Sequence, residues 1–113
     1  MRKTTIVTAK MQEKYYRLII DGRKRCEIRD ESLEGIQAIR YISAEDGHEL
    51  GIYRTGRIIS MDRGHDKELI AMAGIRPSDF YTLFPEESGG GPSRLWAAEL
   101  LGKTTLETLV GEG

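Results

Sequence analysis

The densest run of reactive side chains is Gly22-Arg23-Lys24-Arg25-Cys26-Glu27-Ile28-Arg29. If Gly22 ends a helix and a tight turn delivers Lys24, the strand that follows alternates sides and puts Glu27 and Arg29 on one face, two residues apart. Two or three cations and a carboxylate then project from one helix-turn-strand unit. The cations suit phosphate; the carboxylate can orient them or accept a hydrogen bond from a base or a ribose. The competing account is a charged ladder on a solvated strand. If the unit were catalytic, Lys24 would polarise the reacting group and Glu27 would serve as acid or base.

Charge along the chain leaves both accounts open. The net charge is −1, but it is unevenly spread. Residues 1–65 carry 13 Lys/Arg against 10 Asp/Glu, and residues 66–113 carry 4 against 8. Between positions 10 and 29 there are 7 basic residues, Lys10 among them, and 3 acidic ones, a local polyanion footprint on a near-neutral protein.

Other candidates carry less. Residues 97–104 loosely spell a phosphate-binding loop, yet their interior, Glu-Leu-Leu, reads as strand. Gly89-Gly90-Gly91 lacks the following Lys and helix of a phosphate cradle and reads as a flexible loop or flap. His48 falls in a turn, and His65 beside Asp66 is a weak general-base candidate; neither has a Ser or Cys at nucleophile spacing. Cys26 alternates onto the apolar side with Ile28 and reads as a small buried hydrophobe. Trp96 reads as core, the alternative being an exposed ring for base stacking. One cysteine allows no internal disulfide and fits a cytoplasmic protein; with two scattered histidines no metal site is expected, and no cofactor motif is visible.

The elements that must position the run are legible from periodicity. Residues 4–8 are β-branched and read as a strand. Met11, Tyr15, Leu18 and Ile19 form one stripe of a helix, with Thr8 as its N-cap and Asp21-Gly22 as its stop. Residues 25–29 and 36–43 follow as strands, an Asp46-Gly47 turn makes a hairpin, and residues 50–54 return. Gly56 marks a bulge or bend before residues 58–61, as a small, strongly curled barrel requires. Residues 66–73 and 77–84 are short helices, and residues 95–101 are a last strand. At 113 residues this is a single domain, with a core over about 4–101 and a short C-terminal tail. No apolar run is long enough for a membrane span.

The string Gly22-x-Lys24-x-x-Glu27-x-Arg29 resembles the signature of the ASCH domain family, within the PUA-like superfamily. The resemblance covers roughly residues 4–101, with the motif-level match confined to 10–31. It implies an α+β fold: a small, mostly antiparallel PUA-like β-barrel with a docked N-terminal helix and two short helices before the last strand. It also implies an RNA- or nucleotide-binding cleft around Lys24, Glu27 and Arg29. Lys10 and Arg23 would widen its positive rim, and Arg40 and Tyr41 are further candidates from the neighbouring strand. Some members resemble amidohydrolases that deacetylate acetylcytidine, and others ribonucleases. The deacetylase branch, however, places a nucleophilic Thr where this chain has Glu27, and glutamate cannot make that attack. For the branch's separate acid/base glutamate the nearest candidates are Glu68 and, behind it, Asp79. The Gly-Asp that many members carry after the first barrel strand is also missing. RNA or nucleotide binding is therefore the leading expectation, with a small hydrolase second and a protein-interaction domain third.

Overall fold

The computed structural model describes residues 5–112, so the expected strand start at Thr4 lies outside the described residues. In chain order the elements are β1 (Ile6–Met11), α1 (Glu13–Ile20), β2 (Cys26–Arg29), β3 (Ala38–Ser43), β4 (Glu49–Asp62), α2 (Asp66–Ala73), α3 (Pro77–Leu83), β5 (Arg94–Thr104) and α4 (Leu106–Glu112). Short 3-10 turns precede α2 and β5. The five strands form one sheet in the order β1-β3-β4-β5-β2. Only the β1–β3 pair is parallel; the other three pairs are antiparallel. The fold is thus the expected α+β one, with two helices between β4 and β5.

Curl is built into β4. This single strand of 14 residues changes register against β5 between Tyr53 and Thr55 and again between Thr55 and Ile58, the second shift spanning Gly56. Each irregularity adds bend and twist. The consequence is visible across the sheet: Tyr41 on β3 hydrogen-bonds Glu27 on β2 at 2.8 Å, although β4 and β5 separate them in strand order. The sheet has rolled into a half-barrel whose edge strands, β1 and β2, are not paired with each other.

The hollow side is filled by α1 and three tyrosines. The rings of Tyr16, Tyr41 and Tyr53 pack mutually, with centroids 6.0 to 6.3 Å apart. The Tyr16 hydroxyl donates to the Leu50 carbonyl at 2.9 Å and shares a hydrogen bond with the Tyr53 hydroxyl. Gly51 lets this happen, because a Cβ there would stand 2.5 Å from the Tyr16 hydroxyl. On the outer side, α2 and α3 bury Leu69, Ala73 and Phe80 against Cys26, Ile28, Leu95 and Ala97. Ala97 and Ala98 are both buried, one toward each core, which two large side chains would prevent.

The chain departs from the sequence reading at the start of α1. Lys10 and Met11 belong to β1, paired with Ile42 and Ser43 of β3, and the N-cap of α1 is Gln12 rather than Thr8. The apolar stripe that begins at Met11 serves both elements: Met11 packs on the interior cluster from the strand, while Tyr16 and Ile19 bury from the helix. The tail also has structure, since Leu109 of α4 packs on Ala38 and Ile52. The triple-glycine stretch is no loose flap. Gly89, Gly90 and Gly91 all donate back to Glu86 or Glu87, and a Cβ on Gly91 would collide with the Pro85 carbonyl. Residues 97–104 all lie on β5, as strand and not as phosphate loop.

Candidate functional site

The turn that carries Lys24 is fastened from two sides. Gly22 takes φ +75°, a conformation that costs glycine little. Its N–H donates to the Ile19 carbonyl, and the Arg23 and Lys24 N–H groups both donate to Leu18, at 2.8 and 2.9 Å. The paired bonds from Gly22 and Arg23 close the helix end in the Schellman manner. From the other side the Arg25 N–H donates to the Met72 carbonyl of α2 at 3.0 Å. Gly74, the left-handed cap of α2, sits so close that a Cβ there would be 2.4 Å from the Arg23 carbonyl. Two helix ends therefore fix where Lys24 emerges.

β2 then differs from the solvated ladder in one decisive respect. Cys26, Glu27 and Ile28 are all buried, because β2 has α2 and α3 on one face and the half-barrel interior on the other. Glu27 points inward, where Oε1 accepts from the Tyr41 hydroxyl at 2.8 Å and lies 3.6 Å from Lys24 Nζ. The two ionic side chains are only 9% and 10% exposed. Burial, with the Glu27 carboxylate beside it, pushes the Tyr41 phenol pKa well above its ordinary value. Neither Glu27 Oε2 nor Lys24 Nζ has a hydrogen bond among the described residues. No buried polar side-chain atom there lacks a partner, so neither atom is wholly enclosed by protein.

What they open into is a pocket of about 420 Å³ at the seam between the unpaired strands. Lys10 and Met11 of β1 line one bank, and Lys24, Glu27, Arg29 and Asp30 the other. Gln12, the N-cap of α1, and Tyr15 within it also line the pocket, and Ala73, Ile75, Leu83 and Phe84 contribute an apolar wall from the α2–α3 region. The lining combines the cations of Lys10, Lys24 and Arg29, the carboxylates of Glu27 and Asp30, and the hydrocarbon and ring of the α2–α3 region. Among the described residues, no Ser, Thr, Cys or His lines it.

Of the residues singled out from sequence, Lys10, Lys24, Glu27 and Arg29 come together here. Arg29 also pairs with Glu31 at 3.0 Å. Arg23 is exposed and does not line the pocket. Arg40 turns to Glu49, 2.7 Å away on the surface. Tyr41 is fully buried and reaches the pocket only through Glu27. Glu68 and Asp79 lie elsewhere, paired with His65 and Arg76. The Glu68 hydrogen bond raises the exposed His65 imidazole pKa. Among residues the sequence reading missed as site, Tyr15 was hidden in the helix stripe, whereas Ile75, Leu83 and Phe84 gave no signal beyond the proline at 85.

A curled five-stranded sheet with β1 and β2 facing across a seam has counterparts among solved structures. The crystal structure of ASCH from Zymomonas mobilis matches with a TM-score of 0.69 at 14% identity, over 91% of this chain and 75% of that one. The fold is that of the ASCH domain. A protein from Enterococcus faecalis V583 shares it with a TM-score of 0.62 at 15% identity, covering 100% of this chain and 83% of that chain. A hypothetical protein does so at 0.59 and 22%, covering 88% and 100%. No family model and no curated protein matches the sequence. Within this ASCH fold the Gly22–Arg29 string falls at the helix-turn-strand unit that borders the pocket.

Proposed function

We propose that this chain binds RNA or a free nucleotide in the seam pocket. Lys24, Lys10 and Arg29 hold phosphate, and Glu27 Oε2 accepts a hydrogen bond from a base or sugar. The observation that carries the reading is the Lys24–Glu27 pair: two charges kept nine-tenths out of water, each with bonding capacity left over and directed at one pocket. A buried charge is costly unless it is paired and hydrogen-bonded, so a ligand supplying the missing partners gains where bulk solvent is scarce. The hydrocarbon part of the lining suits a planar base. The test is short single-stranded RNA titrated at several salt concentrations. Lys24→Ala lowers affinity at least tenfold and flattens the log–log salt slope by roughly 0.7, one phosphate contact. Equal affinity and equal slope for the variant would remove the assignment.

A second reading, hydrolysis of a modified nucleoside such as acetylcytidine or of an RNA phosphodiester, draws on the same pair. With no Ser, Thr, Cys or His on the pocket lining among the described residues, water would attack the carbonyl carbon or phosphorus. Glu27 would take its proton and return it to the departing amine or alkoxide as that bond breaks, and Lys24 would steady the developing negative charge. Turnover on acetylcytidine or a short RNA, lost in Glu27→Gln, distinguishes this from binding alone.

A further inference from the structure

Behind the pocket's apolar wall lies a second buried ion pair. Arg63 and Asp66 side chains are 7% and 9% exposed. Arg63 Nε meets both Asp66 oxygens at 3.0 and 3.1 Å, and Nη2 meets Oδ2 at 3.0 Å. The rest of the guanidinium donates to three backbone carbonyls: Phe84 at 2.8 Å, Pro85 at 2.6 Å and Pro92 at 2.9 Å. Its face lies over the Phe80 ring, 5.9 Å from the centroid. Arg63 therefore ties down both ends of the 85–92 loop and the last turn of α3. Two of the residues just there, Leu83 and Phe84, belong to the pocket wall. Leu83 is 62% exposed and makes no core of its own; its place in the wall depends on where α3 ends.

We propose that Arg63 is the positioning residue for the base-facing half of the pocket. By fixing the Phe84 and Pro85 carbonyls it holds the wall at the distance a planar base fills, without touching the ligand. The phosphate-facing half stands on β1, β2 and the turn after α1, to none of which Arg63 hydrogen-bonds. The inference rests on the nucleotide-binding reading and makes a prediction that reading does not. Loss of the Arg63 clasp separates affinity for a nucleotide from affinity for its phosphate.

The experiment measures binding of the four ribonucleoside 5′-monophosphates and of inorganic phosphate, by NMR titration. The proteins compared are the wild type, Arg63→Lys, and the double variant Arg63→Met/Asp66→Asn. The double variant leaves no unpaired buried carboxylate; Arg63→Lys keeps the charge opposite Asp66 but has one donor group to cover three carbonyls. The preferred nucleotide loses about tenfold in the double variant and a smaller factor in Arg63→Lys, while phosphate binding stays within twofold in both. A general loss of folded protein lowers both ligands together, which the ratio removes. In the wild type the Arg63 Nε–H signal shifts when nucleotide is added and stays in place with phosphate. An unchanged nucleotide-to-phosphate ratio in the folded variants, or an unmoved Arg63 signal at nucleotide saturation, overturns the proposal. Wild-type protein that binds none of the four nucleotides overturns the underlying reading instead.

Discussion

Two buried ion pairs flank the wall made by α2 and α3, and they are built in opposite ways. Arg63–Asp66 is saturated: the carboxylate takes a forked guanidinium, and the remaining donors meet carbonyls at 2.6 to 2.9 Å. Lys24–Glu27 is equally hidden, yet the ions stand 3.6 Å apart, and the ammonium has no hydrogen bond among the described residues. A saturated pair fixes the chain around it. An unsaturated pair facing a pocket leaves its bonding capacity for something that arrives. Burial alone does not separate a structural pair from a functional one; the accounting of donors and acceptors does.

That contrast can be broken by mutation, most sharply on the saturated side. Arg63→Ala strands a buried carboxylate and three carbonyls, so it should cost about 3–5 kcal/mol, read from the urea midpoint. Tyr41→Phe removes a buried hydrogen bond to a carboxylate, at a cost of about 1.5–3 kcal/mol, and it should weaken ligand binding because Glu27 loses its anchor. Lys24→Met leaves the Glu27 carboxylate its Tyr41 hydrogen bond but no cation, so it should cost about 1–3 kcal/mol, less than Arg63→Ala, while ligand binding collapses. Arg40→Ala, which breaks a half-exposed surface pair, should move stability by no more than about 0.5 kcal/mol and leave binding unchanged. Comparable stability losses at Arg63 and Lys24 would erase the distinction.

A pH profile sharpens the same point. The phenols of Tyr16 and Tyr41 are raised above their ordinary values, chiefly by burial. A raised pKa in the folded state contributes stability that is whole below the unfolded value of about 10 and is lost as pH climbs toward the folded one. Stability should hold through neutral pH and fall above about pH 10, with these two phenols ionising only as the protein unfolds. Absorbance near 295 nm, followed together with circular dichroism, checks it; early ionisation of all five tyrosines with the fold intact would contradict it.

Much of the frame was legible in the sequence because its signals are local. Asp21-Gly22 stops α1, Gly74 and Pro77 punctuate α2 and α3, and Gly56 marks the bend of β4. The α1 boundary was misplaced because Lys10 and Met11 gain ladder bonds from β3, a long-range partner that no helical stripe announces. Lys24, Glu27 and Arg29 could be chosen as a group because one turn and one strand set their spacing. That Glu27 faces inward and Tyr41 works only through it depends on how far the sheet rolls. Two register shifts in β4 decide that, and only contacts across the sheet reveal it.

The most direct test of the account is a crystal structure of the protein soaked with a nucleoside 5′-monophosphate at saturating concentration. We expect the phosphate within hydrogen-bond distance of Lys24 Nζ, the base against Phe84 and a sugar or base donor on Glu27 Oε2. A nucleotide seated elsewhere, with the pocket between β1 and β2 holding only solvent, would contradict it.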